Sequence, residues 1–161
     1  MTVAIYPGRF DPVTMGHIDI VKRGASLFEK LIVSVFEVPE SNTMFSTEER
    51  MALLSDAIGG IEGVEVRSFN GLVVDWAHKV GATAIVRGIR MNADFEYEFE
   101  MALMNKRMYP EIETLFMMTS QQFFYVSSSR LKELVRFGAN VGDFVPPIVA
   151  KKLEEKLGGR S

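Results

Sequence analysis

The chain has 161 residues, 47% of them hydrophobic, enough for a real core and for one domain spanning 1–161. A net charge of −3 gives no sign of wrapping around nucleic acid, and none is expected as a partner, so basic residues must act as placed groups rather than as a field. The absence of cysteine, with His17 and His78 the two histidines, excludes disulfides, thiolate catalysis and the usual structural zinc sites. No leader pattern and no run of roughly 20 apolar residues is visible, so no membrane is implied and a soluble, cytoplasmic protein is expected.

In chain order, Val3 to Tyr6 is a short apolar run that Pro7-Gly8 cuts off, which predicts a buried strand. From His17 onward, Ile18, Val21, Ala25 and Phe28 recur at helical steps. Leu31 to Phe36 reads as a second buried strand, and Glu37 to Phe45, with Pro39 and small polar residues, as a loop. Ser46-Thr47-Glu48-Glu49 is a capping-box signature for a helix burying Met51, Leu54 and Ile58 and stopped by Gly59-Gly60.

Val64 to Ser68 alternates, which suits a strand near a sheet edge. Asn70-Gly71 reads as a turn, and Leu72 to Val80 as a helix. Thr83 to Arg87 is a strand ending on an arginine, and Ala93 to Met108 is the longest helix candidate. Thr114 to Met118 makes a fifth strand, and Ser127-Ser128-Ser129 caps a helix through Leu131 to Val135. Pro146-Pro147 opens a last helix to about Leu157, which Gly158-Gly159 ends.

Buried-type strands alternating with helices predict an α/β fold: a Rossmann-like, doubly wound parallel sheet of five strands with C-terminal helices. Ligands in such sheets bind beyond the C-terminal strand ends, so those loops carry the functional candidates. Thr14-x-Gly16-His17 places a histidine and a glycine at a helix start after a strand, where backbone N–H groups and an imidazole can meet a phosphate; the plain alternative is a capping histidine. Arg87-Gly88-Ile89-Arg90 puts two guanidinium forks beside a glycine that allows close approach, against the alternative of two surface arginines. Ser127 to Ser129 offers a second helix N-terminus with hydroxyls, or a simple cap. On the long helix, Glu98, Met101 and Asn105 share one mixed face, while Phe95, Phe99, Tyr97, Met104 and Met108 widen an apolar band; core burial and a subunit interface with a substrate wall both fit.

Tyr-Pro-Gly-x-Phe-Asp-Pro-x-Thr-x-Gly-His, Arg-Gly-x-Arg, Asp94-Phe95-Glu96-Tyr97-Glu98 and Ser-Ser-Ser before a helix together resemble bacterial phosphopantetheine adenylyltransferases, within the HxGH nucleotidylyltransferases. The resemblance runs from about Val3 to the last helix. It implies transfer of adenylyl from ATP to 4′-phosphopantetheine, giving dephospho-coenzyme A and pyrophosphate. It also implies Mg2+ bound with ATP, a homohexamer, and coenzyme A as a feedback inhibitor. By position it assigns His17 and Arg90 to catalysis, and Arg9, Phe10, His17, Gly88, Ile89, Arg90, Glu98 and Phe123, Phe124, Tyr125, Val126, Ser127, Ser128 and Ser129 to ATP. Arg9, Ser41, Leu72, Val73, Arg87, Met101 and Asn105 fall on the phosphopantetheine side.

Three positions depart from the family pattern. Arg9 stands where threonine or serine is usual, Met15 where asparagine is usual, and Ser41 where a lysine grips the substrate phosphate. Arg9 is therefore expected to supply part of the missing positive charge. The missing lysine also keeps two alternatives open: a related enzyme with another phosphate acceptor, such as nicotinamide mononucleotide, and a catalytically silent adenine-nucleotide or coenzyme A binding protein.

Overall fold

The computed structural model describes residues 2–39 and 42–157. Along the chain run β1 (Val3–Gly8), α1 (Met15–Ala25), β2 (Lys30–Phe36), α2 (Thr47–Ala57), β3 (Val64–Phe69), α3 (Val73–Lys79), β4 (Ala84–Ile89), α4 (Asn92–Met108), β5 (Glu113–Met118), α5 (Ser128–Arg136) and α6 (Pro147–Leu157). A single 3-10 turn, Gln121–Phe123, separates β5 from α5. The sheet order is β3-β2-β1-β4-β5, with every pairing parallel. The Rossmann-like expectation holds, including the edge position of β3.

Strand alternation sends the two halves of β1 to different layers. Ala4 and Tyr6 join Ile18, Val21, Leu31, Leu54, Leu131 and Leu153 in a core beneath α1, α2, α5 and α6. Val3 and Ile5 meet Val74, Ala77, Ile85 and Ile112 on the α3 side. The order reverses at β1, so β1 and β4 flank the topological switch point. Their pairing spans Ala4↔Ala84 and Ile5↔Ile85 alone, whereas β1 stays paired with β2 through Gly8↔Val35. The two strands therefore part above Ile5, and a crevice opens there.

Several boundaries differ from the sequence reading. Pro7-Gly8 does not end β1; both residues remain in register with β2. A proline lacks one ladder donor, which is tolerated where β1 has already lost β4 as a partner. Helix α1 begins at Met15 and ends at Ala25, so Phe28 packs on the core from outside it. β4 continues to Ile89, which puts Arg87 and Gly88 within the strand. The capping box at α2 forms as expected, with Ser46 and Glu49 exchanging bonds. Its buried face differs: Met51 is half-buried, and Arg50 is among the most deeply buried side chains in the protein. Gly158-Gly159 lies outside the described residues.

Helix α4 is largely uncovered within the chain. Asn105 is the buried side chain among those described on it, while Phe95, Tyr97, Phe99, Leu103, Met104 and Met108 are exposed. Phe95 stacks on Phe99 at 5.7 Å and tilts against Phe116 at 5.9 Å, and Met118, two residues on along β5, is exposed on the same face of the strand. Simple core burial does not describe this helix. No helix among the described residues is long and apolar enough to cross a membrane.

Candidate active site

Side chains stitch the loops at the C-terminal strand ends to one another. Asp11, buried in the β1–α1 loop, accepts from the backbone N–H of Met44 (2.9 Å) and Phe45 (2.9 Å) and from Lys132 Nζ of α5 (3.1 Å). Arg50 reaches under the same loop. It donates to the carbonyls of Arg9 (2.7 Å), Phe36 (2.9 Å) and Phe45 (3.2 Å) and to Thr47 Oγ1 (3.0 Å). These bonds fix the peptide before Phe10, which sits at φ 51°, a left-handed conformation that a phenylalanine rarely adopts. Gly8 makes room for the resulting ring: a Cβ there would lie 3.0 Å from Phe10 Cζ. On the far side, Ser128 Oγ donates to Pro12 O at 2.8 Å and Met15 N–H to Phe144 O at 2.8 Å.

The crevice above β1 and β4 is a cavity of about 470 Å³. Tyr6, Phe10, Gly16, His17, Arg87, Gly88 and Arg90 line it, with Asp94, Tyr97 and Glu98 of α4 and Val126 to Ser129 on the opposite wall. His17 combines its two alternative readings. As the third residue of α1 it closes a capping box with Thr14, whose backbone N–H donates to His17 Nδ1 at 3.0 Å. An amide N–H can only donate, so Nδ1 is an acceptor and the neutral ring carries its proton on Nε2. Burial, reinforced by the charge of Arg90, lowers the His17 pKa from 6.5 to about 4. The imidazole is therefore neutral at physiological pH, and Nε2–H is its donor. Within the first turn of α1, Met15 and His17 N–H are satisfied by Phe144 O and Thr14 Oγ1, which leaves Gly16 N–H without an acceptor among the described residues.

Both arginines of the Arg-Gly-x-Arg motif reach the cavity. Arg90 is anchored by Val126 O at 2.9 Å, with Asp94 3.9 Å away. Arg87 forks onto Glu98 with bonds of 2.7 and 2.5 Å and donates to Pro7 O at 3.0 Å. Burial works against its charge, but the Glu98 bonds and charge outweigh that and raise its pKa. This ion pair is also a partition. A second cavity of about 100 Å³ shares Arg87, Tyr97 and Glu98 with the first, and continues along Val73, Ile85, Met101, Ala102, Asn105 and Thr114. Asn105 is 8% exposed, and its side-chain amide has no partner among the described residues.

The comparisons with known proteins agree on what this architecture is. A cytidylyltransferase-like family model matches residues 5–134. The phosphopantetheine adenylyltransferase of Caldanaerobacter subterraneus subsp. tengcongensis is 56% identical, over 98% of both chains. That of Desulfosudis oleivorans is 52% identical, over 98% of this chain and 94% of its own. The chain belongs to the phosphopantetheine adenylyltransferase family. A solved nicotinic acid mononucleotide adenylyltransferase from Plasmodium falciparum, described as complexed with NaAD, is 11% identical. It superposes with a TM-score of 0.69 over 96% of this chain and 95% of its own, a likeness of fold alone.

For a phosphopantetheine adenylyltransferase chain, most of the positions singled out from sequence line one or both of the two cavities, and several line neither. Phe10, His17, Gly88, Arg90, Glu98 and Val126 to Ser129 meet around the large cavity, with Arg87. Val73, Met101 and Asn105 meet in the small one, again with Arg87 and Glu98. Leu72 is an exposed residue preceding α3, and Ile89, Phe123 and Phe124 line neither cavity; Tyr125 borders a separate groove with Leu134 and Phe144. Arg9 is exposed beside the large cavity rather than within its wall, and Ser41 lies outside the described residues. Of the three serines, Ser127 caps α5 by accepting from Arg130 N–H at 3.2 Å, Ser128 ties the loop, and Ser129 Oγ has no partner among the described residues. Sequence reasoning passed over Arg50 and gave Asp11 and Tyr6 no role of their own, although both stand inside the first motif.

Proposed function

We propose that this protein transfers the adenylyl group of ATP to 4′-phosphopantetheine, giving dephospho-coenzyme A and pyrophosphate. The observation that carries the reading is the shared wall. A large cavity rich in phosphate donors meets a narrow one of apolar and amide groups at the Arg87–Glu98 pair. A triphosphate suits the first, and a pantetheine arm, alternately methylene and amide, suits the second, with Asn105 free to bond an amide.

In this reading the acceptor phosphate is held by Arg87 and attacks the α-phosphorus in line. A phosphate monoester is already an oxygen nucleophile near neutral pH, so no general base is needed and positioning supplies most of the rate. Neutral His17 donates Nε2–H to the transferred phosphoryl group, and Arg90, Gly16 N–H and the α5 N-terminus receive charge on the same group and on pyrophosphate. Ser129 Oγ adds one further donor. Among the described residues no cluster of three or more acidic or imidazole side chains could hold a metal, and Asp94 and Glu98 already face arginines. Mg2+ bound with ATP would supply neutralisation of charge on the pyrophosphate leaving group.

Arg9 supports the charge balance. Its carbonyl is fixed by Arg50, while its guanidinium is exposed and without a partner among the described residues. Arg87, Arg90, Arg50 and Lys132 are already engaged. Beside Arg87, which holds the acceptor phosphate while bonded to Glu98, Arg9 is a cation at this strand end with no bond of its side chain among the described residues, and we assign it a second contact to that phosphate.

The apolar face of α4 supports assembly into a homo-oligomer, with the homohexamer of the family as the expected form, which light scattering at micromolar concentration measures. Coenzyme A, which carries the same arm and an adenine nucleotide, would compete for both cavities as a feedback ligand, and the site of action is the cytoplasm. Pyrophosphate release from ATP tests the reading: it should require phosphopantetheine. Release with nicotinamide mononucleotide in its place would identify a different acceptor, and nucleotide binding with no release would mean a silent binding protein.

A further inference from the structure

Tyr6 stands where β1 parts from β4, one residue beyond the last pair between those strands. Its ring belongs to the core, 5% exposed, and meets the Phe10 ring edge-on at 5.4 Å. Phe10 in turn meets the His17 ring edge-on at 5.0 Å. A phenylalanine would fill that space equally well. The hydroxyl is the unexplained part: it has no hydrogen-bond partner among the described residues, and Tyr6 lines the large cavity. A Cβ at Gly88 would come within 3.7 Å of Tyr6 Oη, so the glycine keeps the space over the hydroxyl open. No side-chain polar atom sealed from solvent lacks a partner among the described residues, so Oη opens on the cavity and is placed to bond a molecule bound there.

The surroundings specify that partner. Burial, against the pull of Arg87 and Arg90, holds the phenol well above its ordinary range, so Oη keeps its proton and can donate. The same two arginines line the cavity, so an anion bound there would meet their charge. We propose that Tyr6 Oη donates a hydrogen bond to a phosphoryl oxygen of the nucleotide bound in the large cavity, on the phosphorus that is transferred. The assignment rests on the adenylyl-transfer reading for the identity of the nucleotide, and on the cavity geometry for the bond itself.

Calorimetry with ATP and with adenosine separates this bond from packing. Tyr6→Phe should weaken ATP about tenfold or more, the range expected for a hydrogen bond to a charged acceptor, and leave adenosine unchanged. An unchanged ATP affinity, or an equal loss for both ligands, overturns the proposal. A wild-type measurement avoids dependence on the folding of that variant. The Tyr6 ¹³Cζ resonance, identified by elimination with phenylalanine variants at Tyr97, Tyr109 and Tyr125, should move on adding ATP and stay in place with adenosine. A resonance indifferent to ATP counts against the bond. Wild-type protein that shows the ATP-dependent shift but no turnover of phosphopantetheine would support the hydroxyl contact and remove the functional reading.

Discussion

His17→Asn separates the two jobs of the histidine. Asparagine Oδ1 occupies the place of Nδ1 and can still accept from Thr14 N–H, so the start of α1 should survive. What disappears is the donor at Nε2. Without a donor aimed at the transferred phosphoryl, turnover should fall about 10²–10³-fold, equivalent to roughly 2.7–4 kcal/mol. Stability provides the second readout. The folded state lowers the His17 pKa from 6.5 to about 4, so the unfolded chain binds the proton more readily. The stability this contributes is fully present above pH 6.5 and is lost as pH falls toward 4. At about 1.4 kcal/mol per pH unit the loss amounts to about 3 kcal/mol. Urea denaturation of wild type and variant at several pH values isolates it, because every carboxylate common to both cancels in the difference. The wild type should lose more stability than the variant between pH 6.5 and 4. A pH-independent difference, or a His17 titration near 6.5 by NMR in the free protein, would refute the argument.

The other perturbations act on the same loop. Arg50→Met keeps the volume but removes the donor to three carbonyls and the Thr47 hydroxyl, and should cost about 3 kcal/mol of unfolding free energy by urea titration. Arg50→Lys should recover a part of it, since one ammonium cannot span all four acceptors. Arg9→Thr should leave the denaturation midpoint unchanged and raise the KM for phosphopantetheine about tenfold, more strongly at low ionic strength. An unchanged KM would mean that Arg9 does not meet the substrate phosphate.

How much of this was legible follows from the kind of signal each residue gives. Strand and helix alternation is written in hydropathy, and so were the five strands and the loops at their ends. His17, Arg87, Arg90 and the serines were visible because they break that pattern at strand ends. Arg50 was invisible for the opposite reason: an arginine in a helix reads as solvent-facing, and its burial depends on carbonyls from three separate segments. Tyr6 looked like core, and its ring is; the free hydroxyl depends on β4 turning away after Ile85. Pro7-Gly8 reads as a stop because proline and glycine together punctuate regular structure, but β1 has no partner on its β4 edge there, so the missing ladder donor is tolerated. The α4 apolar band left burial and interface open, since periodicity reports that a face is apolar and not what covers it.

Product analysis tests adenylyl transfer to phosphopantetheine most directly. Protein incubated with ATP, Mg2+ and 4′-phosphopantetheine, followed by ³¹P NMR, should yield dephospho-coenzyme A and pyrophosphate in equal amounts, and neither when the acceptor is omitted. Release of pyrophosphate without a dephospho-coenzyme A signal, or no reaction from a protein that binds both ligands, would contradict it.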